Sequence, residues 1–206
     1  LRMRRFGPGG DFRAMAQAGA LQPQHIDALG DHLAAFHLAQ PPSAAVPGGD
    51  TLRWAKASLD ELHAAQGRSP TCTAQAIEQL RQALLPRLAN AQPTPAQRQA
   101  AGWVRECHGD LHLGNLVEWQ GRVMAFDALE FDPALRHIDL GGDLAFPCMD
   151  LLTAGLPALA WRLASAWLEA LLAVARHYSV ESSPERVRVE MEWLANDVPL
   201  DNLVEH

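Results

Sequence analysis

One short polar segment carries most of the side chains in this sequence that are suited to chemistry. It runs from His108 to Asn115, with the sequence H-G-D-L-H-L-G-N, and lies between two apolar, strand-like runs. A further carboxylate, Asp127, follows the second strand of the hairpin that begins after Asn115. Loops held by rigid strands are where catalytic groups gather. The carboxylates of Asp110 and Asp127 and the carboxamide of Asn115 suit a hard, oxygen-ligated cation such as Mg²⁺, which also takes phosphate oxygens.

A second interpretation of the same segment is a transition-metal site. His108, Asp110 and His112 form an H-x-D-x-H pattern, and alternate residues of a strand share one face. Imidazoles favour zinc or a similar ion, so the pattern is also compatible with a metallohydrolase. This interpretation assigns no purpose to Asn115 and Asp127.

The elements around this segment are mostly helical. Apolar residues recur at helical spacing between Ile26 and His37, and again between Ile77 and Leu88. Thr94-Pro95 is typical of an N-cap followed by proline at the first helical position. After Pro133 the pattern predicts helices as far as the end of the chain, broken near Pro147, Pro157 and residues 182–184.

Strand-like runs flank the polar segment. Residues 103–107 form one of them, and residues 116–119 and 122–126 form a predicted hairpin around a tight turn at Gln120-Gly121. The predicted fold class is therefore α+β, predominantly helical, with one small hairpin that carries the candidate site.

Composition and charge exclude several classes of protein. The 206 residues are 48% hydrophobic, which is enough for one domain with a real core, and no apolar stretch reaches the roughly 18 residues of a membrane span. The net charge of −7 argues against a nucleic-acid binder. Three cysteines without C-x-x-C spacing favour a reducing cytoplasm.

Four motifs in order resemble the aminoglycoside phosphotransferase and choline kinase group, small-molecule relatives of the protein kinases. The pattern of that group is H-G-D-x-x-x-x-N, a strand, a turn, a strand that ends in I-D, and later D-x-x-x-D-L-A. Here the four motifs are His108 to Asn115, the predicted hairpin that follows it, Phe126-Asp127, and Asp139 to Ala145. Residues 126–131 and 136–139 are similar to a bacterial subgroup, some of whose members also carry a P-loop ATPase domain. The spacing from Asp127 to Asp139 is longer than in the drug-modifying kinases.

The resemblance implies transfer of the ATP γ-phosphate to a small-molecule hydroxyl with Mg²⁺, on a protein kinase-like C-lobe. It makes Asp110 the catalytic base and Asn115 and Asp127 the Mg²⁺ ligands. Arg2 is the nearest candidate for the nucleotide-binding position that a strand lysine holds in the family. Asp143 would accept backbone N–H bonds from the catalytic loop. His108 is expected to brace that loop.

The resemblance also implies a domain organisation. Residues 1–6 would end an N-lobe strand, residues 7–180 would form the C-lobe, and the acidic residues 181–206 stay unassigned. We expect the chain to lack most of the N-lobe, which leaves a truncated or pseudokinase-like binding module as the alternative to an active kinase. Acidic residues near the motif favour a cationic acceptor such as an amino sugar: Glu118, Glu130, Asp132 and Asp150.

Overall fold

The structure of this protein is a computed structural model. It describes residues 10–43, 51–68, 72–91 and 93–178. Arg2, the strand predicted over residues 1–6 and the acidic tail over residues 181–206 therefore lie outside the described residues. Among the helices described, none has both the length and the apolar character needed to cross a membrane.

The described residues form two compact units. Residues 10–43 and 102–178 make up the first unit, and the second consists of the described residues between 51 and 101. The elements in chain order, with one 3₁₀ turn at Leu113–Asn115, are α1 (Phe12–Gln17), α2 (Pro23–Ala39), α3 (Thr51–Ala64), α4 (Ala74–Ala89), α5 (Pro95–Ala100), β1 (Val104–Glu106), β2 (Leu116–Trp119), β3 (Arg122–Ala125), α6 (Pro133–Arg136), β4 (His137–Asp139), α7 (Leu140–Thr153) and α8 (Pro157–Tyr178). The predicted α+β class, mostly helical with a small hairpin, is confirmed.

The second unit is helical, and α5 begins with the N-cap that the sequence predicts. The Thr94 side chain accepts a hydrogen bond from the backbone N–H of Gln97, whose side chain bonds back to the N–H of Thr94. This reciprocal capping box satisfies two of the N–H groups that the start of α5 leaves unpaired. Helices α3 and α4 pack against each other, with Leu59 and Ile77 buried.

Two antiparallel strand pairs support the candidate site in the first unit. In the hairpin, Leu116 lies opposite Ala125 and the turn residues Gln120 and Gly121 both have left-handed backbone angles, with φ of 55° and 72°. Two such residues in succession are typical of the tight turns whose twist matches that of the flanking strands. The predicted hairpin therefore has the expected register and turn.

The second pair, β1 with β4, corrects the expectation that the chain is helical after Pro133. Residues 137–139 form a strand, in which His137 pairs with Glu106 and Asp139 with Val104. A strand of three residues is too short to have a recognisable period, and its partner lies far away in the sequence. Pro147 does not break the chain either, because α7 continues through it. Residues 154–156, just before Pro157, by contrast separate α7 from α8, and the predicted break near Pro157 is present.

The core of the first unit lies between α2, α7, α8 and the polar segment. Helix α2 packs along α8, and it buries Ile26, Leu29 and Leu33 in the same cluster as Leu163 and Trp167 of α8. The polar segment contributes its own apolar residues to this core, since Leu111 and Leu113 are also buried there. These two leucines thereby anchor the polar segment to the core.

The close approach of α2 to α8 depends on Gly30. A Cβ atom added there would lie 2.7 Å from the Ala166 Cβ and 2.9 Å from the Trp167 backbone nitrogen. We expect Gly30→Ala to lower the free energy of unfolding by about 1–3 kcal/mol, because the helices must separate to admit the methyl group. Urea denaturation of the purified variant measures this change.

The control is Gly142→Ala in α7, where the nearest atom to an added Cβ is 4.0 Å away. Alanine is the better helix former, so this change should leave stability unchanged or raise it by up to about 1 kcal/mol. Equal stability of the two variants would contradict the packing of α2 on α8 described above.

Candidate functional site

The carboxylate of Asp143 holds the backbone of the segment at residues 108–115. The backbone N–H of Gly109 donates to its Oδ1 at 2.9 Å, and the N–H of His108 donates to its Oδ2 at 3.2 Å. Asp143 is completely buried in α7. The resemblance predicted that this aspartate accepts backbone hydrogen bonds from the loop, and the structure contains both bonds.

Two further side chains complete the surroundings of Asp143. His37 of α2 lies with its Nε2 3.0 Å from the Asp143 Oδ2, and the Trp167 indole N–H donates to its Nδ1 at 3.0 Å. Because the indole is only a donor, Nδ1 accepts and the hydrogen of a neutral ring lies on Nε2, where it points at the carboxylate. All three side chains are buried. His37 lies at the end of the helical apolar pattern in the sequence, whereas nothing local distinguishes Trp167 from an ordinary apolar helix residue.

His108 connects the loop to the end of the hairpin. Its Nε2 lies 2.9 Å from the carbonyl oxygen of Phe126, and its Nδ1 accepts the backbone N–H of Asp110 at 3.4 Å. Both ring nitrogens are therefore used, and His108 braces the loop as predicted. The ring has no lone pair left for an ion, which argues against the H-x-D-x-H metal site.

Gly109 allows the loop to turn sharply next to these contacts. Its φ is +80°, a conformation that side chains rarely adopt. A Cβ atom at this position would also lie 3.0 Å from the carbonyl oxygen of Leu135 and 3.3 Å from the Arg136 Cβ. Glycine is thus required both by the backbone angle and by the segment that packs against the loop.

Asn115 binds Asp110 from inside the loop. Its Nδ2 donates to the Asp110 carbonyl oxygen at 2.9 Å and approaches the Asp110 Oδ2 at 3.3 Å. The side chain of Asn115 is buried, while Asp110 is half-buried. Within the described part of the chain, the carboxamide oxygen of Asn115 and the Oδ1 of Asp110 accept no hydrogen bond.

The hairpin places Asp127 at the same end as Asn115. The backbone N–H of Phe126 donates to the carbonyl oxygen of Asn115 at 3.0 Å, and Asp127 is the next residue. Asp127 has a left-handed backbone, with φ of 62°, and an exposed side chain. Aspartate tolerates this conformation better than most residues, and sparsely populated conformations cluster at functional sites. No described residue pairs with its carboxylate.

Three of the predicted site residues are thus brought to one end of the hairpin: Asp110, Asn115 and Asp127. The oxygens without partners among the described residues are carboxylate and carboxamide oxygens, the ligand types that Mg²⁺ prefers. The donor set therefore fits this ion. Arg2, the fourth predicted site residue, lies outside the described residues.

Another cluster with metal-ligating side chains lies beneath the loop, but its chemistry does not suit an ion. Candidate ligand atoms of His37, Cys107 and Asp143 lie within 4.8 Å of one another. Burial raises the pKa of the Cys107 thiol far above its usual value, and the charges of Asp143 and Asp139 raise it further. Because thiolates rather than thiols bind metals, Cys107 is a packing residue here.

The four acidic residues expected near an acceptor differ in whether their carboxylates already have partners within the protein. Glu118 lies 3.2 Å from the His25 ring, Asp132 caps α6, and Asp150 accepts the backbone N–H of Leu113 at 2.9 Å. Glu130 is exposed, and among the described residues its carboxylate has no partner. The Arg136 guanidinium donates to the backbone oxygen of Glu130 at 3.0 Å, which holds its position in the loop.

Replacement of the Asp143 carboxylate tests its role in holding the loop. In Asp143→Asn one oxygen becomes an NH₂ group that faces a donor, so one N–H group is left buried without an acceptor. We expect the free energy of unfolding to fall by about 1–3 kcal/mol, measured by urea denaturation.

The control is Asp27→Asn, which removes an exposed aspartate paired with Arg162 at 2.6 Å. Exposed pairs contribute little to stability, so this variant should unfold close to wild type. If Asp143→Asn were as stable as the control, the carboxylate would not be what fixes the loop.

Comparison with known proteins gives one family. A model of the phosphotransferase enzyme family matches residues 2–141. No curated protein and no solved structure gives a match. The matched range covers more than half of the chain and includes Asp110, Asn115 and Asp127. The chain therefore belongs to the phosphotransferase enzyme family.

Proposed function

We propose that this protein transfers the γ-phosphoryl group of ATP to a hydroxyl group of a small molecule and requires Mg²⁺. The observation that carries the proposal is the convergence of Asp110, Asn115 and Asp127 at one end of the hairpin. Membership of the phosphotransferase family supports phosphoryl transfer in general. The oxygen donor set at the hairpin supports the metal.

In this proposal Asp110 is the general base. The hydroxyl proton passes to the Asp110 carboxylate while the hydroxyl oxygen bonds to the γ-phosphorus and the bond to the departing ADP oxygen breaks. Positioning matters most in this reaction because the transferred group stays anionic throughout. The hydrogen bonds from Asn115 hold both the backbone and the side chain of Asp110 in place.

Asn115 and Asp127 are the residues that would hold the metal. When bound, Mg²⁺ supplies positive charge that neutralises the nucleotide phosphates. The backbone bond between Phe126 and Asn115 brings the residue before Asp127 next to Asn115, and His108 ties the same end of the hairpin to the loop. Arg2 is the proposed contact for the other nucleotide phosphates, since guanidinium groups pair with phosphate in a bidentate manner.

Magnesium-dependent binding of ATP tests the nucleotide and metal parts of this proposal. Titration calorimetry should show ATP binding with Mg²⁺ present, and Asp127→Ala should weaken it about tenfold or more, which corresponds to ~1.4 kcal/mol. The physical reason is the loss of a charged oxygen ligand.

The matched control is Glu130→Gln, which removes the same charge from an exposed position three residues away. Its affinity for Mg²⁺ and ATP should stay near that of wild type. Equal weakening in both variants would indicate a general charge effect and would contradict the assignment of Asp127 as a ligand.

We propose that the acceptor is a cationic small molecule that binds Glu130. Glu130 is the carboxylate nearest in sequence to Asp127 that has no partner among the described residues. A carboxylate on a loop held by Arg136 offers a fixed negative charge to an ammonium group. Sugars with several amino groups should therefore be phosphorylated faster than neutral sugars or choline-like alcohols. Comparable rates with all three classes would remove the basis for this assignment.

Turnover on the fastest of these acceptors tests the base. Asp110→Asn keeps the shape of the side chain and the hydrogen bond to Asn115 but cannot accept the proton. We expect kcat to fall by about 10²–10⁴ with the affinity for Mg²⁺ and ATP nearly unchanged. Steady-state kinetics and calorimetry on the same preparation give both numbers.

Two results would contradict the catalytic assignment. Normal turnover of Asp110→Asn would show that another group accepts the proton. Nucleotide binding by wild type without turnover on any acceptor would instead support the non-catalytic binding module.

A further inference from the structure

We propose that Arg13 and His112 form a positioning pair that holds the Oδ2 of Asp110 and leaves its Oδ1 to accept the substrate proton. Neither residue is part of the donor set described above. The inference rests on the proposed function for its catalytic consequence, but the geometry of the pair can be tested without it.

The ring of His112 contacts Arg13. The Nη2 of Arg13, on α1, lies 3.3 Å from the Nδ1 of His112. A guanidinium has donors only, so Nδ1 must be the acceptor and the hydrogen of the neutral imidazole must lie on Nε2. Arg13 therefore selects one of the two tautomers of His112.

The other side of the His112 ring faces Asp110. The Nε2 of His112 lies 3.7 Å from the Asp110 Oδ2. Asn115 approaches the same oxygen at 3.3 Å, whereas no described residue donates to Oδ1. The Nε2–H tautomer thus directs a second donor toward Oδ2, and catalytic hydrogen bonds that are long in the free protein commonly shorten when substrate binds. The other tautomer would direct a lone pair toward the carboxylate and repel it.

The residues around Arg13 and His112 leave room for this contact. A Cβ atom on Gly114 would lie 3.1 Å from both Cε1 and Nδ1 of His112 and 3.2 Å from the Cζ of Arg13. Any larger residue at position 114 would press on the pair. The Nη2 of Arg13 also lies 3.7 Å from the Oδ2 of Asp150, which accepts the backbone N–H of Leu113. The pair is thereby tied to α7 and to the loop itself.

The consequence is that the two oxygens of Asp110 are not equivalent. Asn115 donates to Oδ2, and the Nε2–H of His112 is directed at the same oxygen from 3.7 Å, so Oδ1 is the oxygen left for the acceptor hydroxyl. During transfer the hydroxyl proton passes to Oδ1, the hydroxyl oxygen bonds to phosphorus, and ADP leaves with the electrons of the broken bond. His112 and Arg13 exchange no proton in this scheme, so they are positioning residues.

The tautomer of His112 is measured directly by long-range ¹H–¹⁵N correlation NMR of the ¹⁵N-labelled protein. We expect the Nε2–H form in wild type and a shift toward a mixture of tautomers in Arg13→Gln. The control is Arg162→Gln, which removes another exposed arginine paired with an aspartate and should leave the His112 signals unchanged. An Nδ1–H tautomer in wild type, or no response to Arg13→Gln, would overturn the pair whether or not the protein is a kinase.

Kinetics test the consequence for Asp110. We expect Arg13→Gln and His112→Ala to lower kcat roughly 10- to 100-fold, with the affinity for Mg²⁺ and ATP within about twofold of wild type. His112→Gln should recover much of the loss, because its amide NH₂ reaches the position of Nε2. Unchanged kcat in both loss variants, or no recovery with glutamine, would overturn the positioning role.

The NMR and kinetic arms separate the two proposals. The expected tautomer together with no phosphorylation of any acceptor would refute the proposed function and with it the catalytic role of the pair, while the contact itself would stand. Turnover by wild type with the wrong tautomer would refute the pair and leave the proposed function intact.

Discussion

The buried carboxylate of Asp143 is the interaction on which the site depends. A charge removed from water is costly unless hydrogen bonds compensate it, and here His37 and two loop N–H groups do so. These donors come from α2 and from the loop, while the carboxylate comes from α7. The loop can therefore take this shape only when the helices are packed, since the core places Asp143 and His37 within reach of each other.

The hairpin is the second constraint, and Asn115 is where it meets the loop. The Asn115 side chain donates to the carbonyl oxygen of Asp110. Its own backbone carbonyl oxygen accepts the N–H of Phe126, the residue before Asp127. His108 makes a second connection between the loop and the hairpin, through the carbonyl oxygen of Phe126. One backbone–backbone hydrogen bond and two bonds from side chains to backbone oxygens thus connect the proposed base to the end of the hairpin that carries the proposed metal ligands.

The carboxylates of the first unit have the same chemistry but different surroundings, and their proposed roles follow from this difference. Asp143 is buried with all its oxygens used, which makes it structural. Asp110 is half-buried with one oxygen held and the other without a described partner, which suits a base. Asp127 and Glu130 are exposed, which suits contact with a metal or a substrate. Burial and hydrogen bonding, rather than residue type, separate these roles.

Local signals in the sequence were sufficient for the hairpin, its turn, the capped helices and the segment that carries Asp110 and Asn115, because each depends on neighbours within a few residues. The strand β4, the continuity of α7 through Pro147, and the contacts of Trp167 and Arg13 were not predictable in this way. Trp167 meets a partner 130 residues away and Arg13 one 99 residues away. Such contacts exist only after the helices have packed, so the sequence determined which groups are available and the tertiary structure decided which of them meet.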